Sequence, residues 1–216
     1  MIQQENLDIL YHDSDIVVIN KPGGLLSVPG RGPEKQDCAA SRLRQHFSNM
    51  IDQPAVHRLD MYTSGLMVFA ITTGAHRFLS GQFEKRMVVK KYTAVVEGII
   101  EGISGDIHLP FRLDPDNRPL QIYDPVHGRM GITKWQKLET TETTTRIEFT
   151  PLTGRTHQLR VHAAHPRPMG LGFPIVGDSL YGLGKDGHQM MLHASYLQFL
   201  HPETSKYLEF HSPPPF

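Results

Sequence analysis

Four runs between residues 91 and 150 decide the fold: Lys91-Tyr92-Thr93-Ala94-Val95-Val96-Glu97, Asp106-Ile107-His108-Leu109-Pro110, Ile132-Thr133-Lys134-Trp135-Gln136-Lys137-Leu138 and Arg146-Ile147-Glu148-Phe149-Thr150. β-Branched or aromatic residues recur through them, and no helical pattern separates one from the next. Strands that succeed one another without helices pair in antiparallel or mixed fashion. The runs therefore predict an α+β fold around a large twisted sheet, mixed and mainly antiparallel, with flanking helices.

Toward the N-terminus, Ile16-Val17-Val18-Ile19-Asn20 reads as a buried strand stopped by the turn Lys21-Pro22-Gly23-Gly24. Leu66 to Thr72 reads as another strand. Asp37 is positioned to cap a helix from about Cys38 to Phe47, with Leu43 and Phe47 on one face. Thr73 is the expected cap of a second helix, Gly74 to Arg86, whose apolar stripe is Ala75, Phe78, Leu79, Phe83 and Met87. Toward the C-terminus a helical segment starts near Thr156, and Met190 to Phe199 and Tyr207 to Phe210 read as strands. With 19 glycines and 16 prolines the chain suits many short elements joined by tight turns. No repeat or linker divides it, so residues 1–216 are expected to form a single catalytic-sized domain.

The 216 residues carry 39% hydrophobic and 20% charged side chains, an ordinary globular composition that excludes a disordered acidic or basic tail. A chain of this length buries enough surface to fold without a metal or disulfide staple. Cys38 is the sole cysteine, which excludes an intrachain disulfide and a Cys-rich zinc site and points to the reducing cytoplasm. Met1-Ile2-Gln3-Gln4-Glu5-Asn6 lacks the basic start and apolar run of a leader, and no apolar stretch approaches the roughly 18 residues of a membrane helix.

Lys plus Arg is 22 and Asp plus Glu is 22, a formal charge of zero that conceals segregation. Glu5, Asp8, Asp13 and Asp15 fall in the first fifteen residues without a Lys or Arg. Nothing acidic lies between Glu148 and Asp178, where Arg155, Arg160 and Arg167 sit among His157, His162 and His165. Lys85, Arg86, Lys90 and Lys91 form a second basic cluster, and Arg31, Lys35, Arg42 and Arg44 a third. Each cluster alone reads as a solvated face; a local basic surface for an anionic partner is the alternative.

Two segments concentrate chemistry. His57-Arg58-Leu59-Asp60-Met61-Tyr62-Thr63-Ser64-Gly65 packs functional side chains into a loop beside a core strand, where rigid scaffolds tend to present catalytic groups. On spacing alone Asp60 is a nucleophile, a base or a loop-capping carboxylate. Gly154-Arg155-Thr156-His157-Gln158-Leu159-Arg160-Val161-His162 offers Thr156 as a helix cap, with arginine forks suited to carboxylate or phosphate. His157 and His162 are five residues apart and point about 140° apart on a helix, and Pro166 interrupts the pair His162 and His165. No metal site is expected.

These residues carry a resemblance. His57-Arg58-Leu59-Asp60 with Thr63-Ser64-Gly65 resembles the catalytic loop of the RluA family of pseudouridine synthases. Lys91-Tyr92-Thr93-Ala94 is similar to that family's second motif and Gly154 to His162 to its third. Asn20 to Gly30, Ile175 to Tyr181 and Leu192-His193-Ala194 match further blocks in order. Asp116-Asn117-Arg118-Pro119 fits a short branch that lacks an N-terminal S4 RNA-binding domain. The chain departs from the pattern by an insertion over 163–172 and by Tyr62 at a variable position.

The resemblance implies the pseudouridine synthase fold with an active-site cleft, and isomerisation of uridine in structured RNA, a 23S ribosomal RNA or transfer RNA stem-loop. It assigns catalysis to Asp60, Tyr92 and Arg160: Asp60 as the reacting carboxylate, Tyr92 as the ring stacked on the base, Arg160 as the partner holding Asp60 ionised. Arg58, Leu192, His57 and Arg155 become the expected substrate-binding residues, with Arg58 filling the stack vacated by a flipped base and Leu192 forming an apolar wall. The reaction gains and loses no atom, so no cofactor is expected; a cytoplasmic monomer without membrane attachment is. Taken singly, Tyr92 and Leu192 read as core residues and His57 as a loop-stabilising hydrogen-bond partner. A glycoside hydrolase needs a second carboxylate, which neither segment offers beside Asp60. A mere RNA-binding module has no use for Asp60.

Overall fold

The computed structural model describes residues 7–185, 187 and 189–216. Met1–Asn6, on which the absence of a leader was argued, lies outside the described residues. Among those described are ten strands and three α-helices, and the chain divides into two compact units. One comprises the residues up to Lys90 together with His193–Pro215; the other comprises Lys91–Leu192 with Phe216.

The first unit carries β1 (Asp8–His12), β2 (Ile16–Lys21), β3 (Ser64–Ala70), β9 (Leu192–Leu200, from His193 onward) and β10 (Tyr207–His211). β1 pairs antiparallel with β2, β2 with β3, and β10 with β9, whereas β3 runs parallel to β9 through Ser64↔His193 and Gly65↔Ala194. All seven residues of β3 are buried, so its near-continuous apolar run is covered on both faces. Ile16, Val18, Leu66, Val68, Leu197 and Phe199 pack with Ala75 and Leu79 of α2 (Thr73–Glu84) into the core.

Gly65 has φ +110°, a conformation L side chains avoid, and a Cβ there would meet Ala194 backbone N at 2.5 Å and C at 2.8 Å. The glycine that ends the His57–Gly65 stretch thus permits the close β3–β9 approach.

The second unit holds five antiparallel strands in the order β4-β8-β7-β5-β6: β4 (Val89–Glu97, from Lys91 onward), β5 (Ser104–Leu113), β6 (Gln121–Tyr123), β7 (Arg129–Thr140) and β8 (Thr144–Pro151). β8 alternates half-buried and buried residues, placing Thr145, Ile147 and Phe149 on its inner face. The α+β class and the mixed, mainly antiparallel pairing expected from the sequence are present.

Several local expectations are corrected. Cys38, not Asp37, caps α1 (Ala39–His46), because its sulfur accepts from Ser41 N while the Ser41 hydroxyl accepts from Cys38 N. Asp37 instead pairs with Arg42. Thr72, not Thr73, caps α2, its hydroxyl accepting from Ala75 N at 3.1 Å and donating to Asp15. Thr156 caps nothing: α3 (Gln158–Ala164) starts after His157, which sits at φ 56° with no side-chain cap. The 163–172 insertion folds back onto α3, where Leu171 N and Phe173 N donate to the carbonyls of His162 and Ala163.

Candidate active site

In the first unit, Asp60 lies half-buried on a loop built by the turn after β2. The Ser27 hydroxyl donates to Leu59 O at 2.7 Å and accepts from Leu59 N at 3.1 Å, pinning the residue before Asp60. Met61 O, just after it, accepts from Gly24 N at 2.9 Å and from Lys21 Nζ at 3.1 Å. The Lys21 ammonium is fully buried and also reaches Pro22 O at 2.8 Å and Leu25 O at 2.7 Å. Burial pushes its pKa down to about 7, and the Asp60 carboxylate acts in the opposite direction. The Lys21 to Ser27 turn is therefore the mould of the Asp60 loop.

His57 Nε2 accepts from Val68 N at 3.1 Å, which leaves the ring proton on Nδ1. The ring stacks on Phe83 at 4.6 Å and 19°, and Lys90 lies over the same phenyl group at 5.7 Å. Burial, then the Lys90 charge, pushes His57 down to about 3, so it is neutral at pH 7. Arg58 is exposed. His193 bridges Ser64 Oγ at 2.8 Å and Ser212 Oγ at 3.0 Å, tying β3 and β9 to the C-terminal segment.

In the second unit, Tyr92 is half-buried on β4 opposite Phe149, and Leu192 is buried. Arg160 on α3 is buried, and its fork grips Asp178: Nε to Oδ2 at 2.8 Å and Nη2 to Oδ1 at 2.7 Å. Its guanidinium lies 5.3 Å from the centre of the Tyr181 ring. Asp178 Oδ1 also accepts from Leu180 N and Tyr181 N. Burial alone would raise the Asp178 carboxyl, but the Arg160 fork and the two amides together outweigh it and hold it below its ordinary value.

Gln158 is a second buried hub. Its Oε1 accepts from Thr153 Oγ1 at 2.7 Å and Arg155 N at 3.0 Å, while Nε2 donates to Ile132 O and Thr133 Oγ1. Arg155, exposed, is thereby fastened through its backbone to β7.

The expected site residues divide between the units: His57, Arg58 and Asp60 in the first, Tyr92, Arg155, Arg160 and Leu192 in the second. Sequence reasoning gave no role to Lys21, Ser27, Gln158 or Asp178. For Asp178 a signal existed, since it is the residue that ends the acid-free stretch containing Arg160.

The comparisons with known proteins define the class. A family model for RNA pseudouridylate synthase matches residues 15–165, and the chain belongs to that family, whose members are isomerases that convert uridine in RNA to pseudouridine. It is similar to the dual-specificity RNA pseudouridine synthase RluA of Pasteurella multocida, 42% identical over 97% of this chain and 94% of the relative. It is 38% identical to that of Escherichia coli K12 over 99% of this chain and 96% of the relative. Among solved structures it resembles human RNA pseudouridylate synthase domain containing 1, with a TM-score of 0.77 and 30% identity over 98% of this chain and 85% of that one. No helix among the described residues is long and apolar enough to cross a membrane.

Proposed function

We propose that this chain isomerises uridines in stem-loops of 23S ribosomal RNA, transfer RNA or both, in the cytoplasm, as a monomer without a cofactor, and that Asp60 is its catalytic carboxylate. The observation that carries the RNA assignment is the 42% identity, across 97% of the chain, to a dual-specificity synthase. The assignment of Asp60 draws support from its loop, whose backbone is fixed on either side by Ser27 and Lys21.

The reaction breaks the N1–C1′ bond of uridine, turns the uracil and rejoins it through C5. Asp60 either attacks covalently or removes a ribose proton. Tyr92 takes the role of the ring that retains the detached base, with its hydroxyl available to the C5 proton, and Arg160 that of the cation acting on the Asp60 carboxylate. Arg58 fills the vacated stack, and Leu192, His57 and Arg155 complete the substrate-binding set. The motif order supports these roles.

The test is Asp60→Ala assayed on RNA tritiated at uridine C5. The variant is expected to bind the RNA and release no tritium; undiminished release overturns the assignment. Free uracil among the wild-type products would instead identify a hydrolase.

A further inference from the structure

A pocket of about 340 Å³ lies wholly within the second unit; three arginines, Arg112, Arg129 and Arg155, line it with His127, Gln121 and Thr156, beside the apolar Phe111 and Leu113. Arg129 and Arg155 are exposed, and among the described residues neither guanidinium forms an ion pair. Asp124, the nearby acid, is already satisfied. Its Oδ2 accepts from Arg112 Nε, and its Oδ1 accepts from Val126 N at 2.9 Å and His127 N at 2.8 Å. The Asp124 carboxylate offsets the Arg112 charge, and among the described residues no acid pairs with Arg129 or Arg155.

Both walls are rigid. The Asp124 turn is closed by Gly128 N donating to Asp124 O at 3.0 Å; it holds His127 and leads into β7 at Arg129. The opposite wall, 154–156, is fastened to the same strand through buried Gln158. Two like charges carried by facing walls, with no counter-ion among the described residues, form a site suited to an anion. Planar guanidinium forks beside a hydroxyl match the oxygens of a phosphate.

We infer that this pocket binds a phosphodiester of the RNA backbone. The inference rests on the RNA reading above and deepens it. A phosphate contact fixes the register of the RNA without reading its sequence. The charge that the zero net balance hides is therefore concentrated where it can act locally.

The test is equilibrium binding of an RNA stem-loop as a function of salt, for wild type, Arg129→Ala, the double variant Arg129→Ala/Arg155→Ala, and Lys206→Ala. Lys206 is an exposed cation of the first unit, outside the pocket. Arg129→Ala is expected to weaken binding about tenfold at moderate salt and to reduce the slope of log affinity against log salt by about 1, and the double variant by about 2. Lys206→Ala is expected to leave both unchanged. Equal losses in Arg129→Ala and Lys206→Ala, or none in either, overturn the pocket. Binding is read apart from catalysis, so a wild type that binds RNA without making pseudouridine defeats the proposed function and not the pocket. A wild type that binds no RNA defeats both.

Discussion

Arg160 and Asp178 form a buried, two-pronged ion pair, 2.7 and 2.8 Å long, that anchors the third motif to the loop after it. Removing one partner strands the other's charge away from water, which costs about 3–5 kcal/mol. Asp178→Ala is therefore expected to lower the urea midpoint by an amount corresponding to that loss. Arg160→Lys keeps the charge but not the planar fork. It is expected to remain folded and to lose most of its pseudouridine formation. Near-normal turnover in Arg160→Lys would show that the fork is not needed.

What the sequence made legible follows from how local each signal is. The strand runs over 91–150 declared themselves because β-branched and aromatic residues repeat there without interruption. Asp8 to His12 did not, because an edge strand with alternating exposed and half-buried residues has the composition of a loop. The helix caps fell one residue from their expected places, since Asp37 and Thr73 adjoin the residues whose side chains reach the first-turn amides. Asp60 stood out through the motif around it. Lys21 did not: its burial depends on carbonyls converging from residues 22, 25 and 61, and a lysine ahead of Pro-Gly-Gly reads as a solvated turn. Asp178 lies 18 residues from its partner, beyond any helical spacing.

Gly65 supplies the next prediction. A methyl group there collides with the Ala194 backbone at a φ that alanine disfavours. Gly65→Ala is expected to separate β3 from β9 at their parallel pairing, Ser64↔His193 and Gly65↔Ala194, destabilising the protein by more than about 1 kcal/mol. Thermal unfolding measures it, and an unchanged midpoint would show that the strands accommodate the methyl.

Three histidines, His162 and His193 buried and His57 half-buried, make the fold sensitive to acid. Burial pushes His57 and His162 down to about 3 and His193 to about 4, from an ordinary 6.5. Below 6.5 the unfolded chain takes up protons that the folded rings refuse, so stability falls as pH drops toward 4, by about 1 kcal/mol per pH unit for each ring. Among the described residues His162 has no hydrogen-bond partner on either nitrogen. His162→Leu is therefore expected to match wild type or exceed it at pH 7 and to show a shallower decline in acid, measured by denaturant titration from pH 7 to 4. An equally steep decline would assign the acid sensitivity to other groups.

Lys21 carries a linkage of the same sign at higher pH, and a functional consequence. Its folded pKa, about 7, lies below the ordinary 10.5, so between those values the unfolded chain binds more protons than the folded one. Stability is expected to rise with pH across that window, and Lys21→Met should abolish this rise. At pH 7 the substitution removes a buried charge but also withdraws the donor from Pro22 O, Leu25 O and Met61 O. Met61 O keeps Gly24 N, but loss of the donor at the buried Leu25 O costs more than the charge relieves, for a net loss of about 1–3 kcal/mol. The Met61 carbonyl adjoins Asp60, so slackening it displaces the carboxylate. Below the unfolding temperature, kcat is expected to fall roughly tenfold or more while RNA affinity holds. A destabilised variant with unaltered kcat would make Lys21 a support of the fold alone.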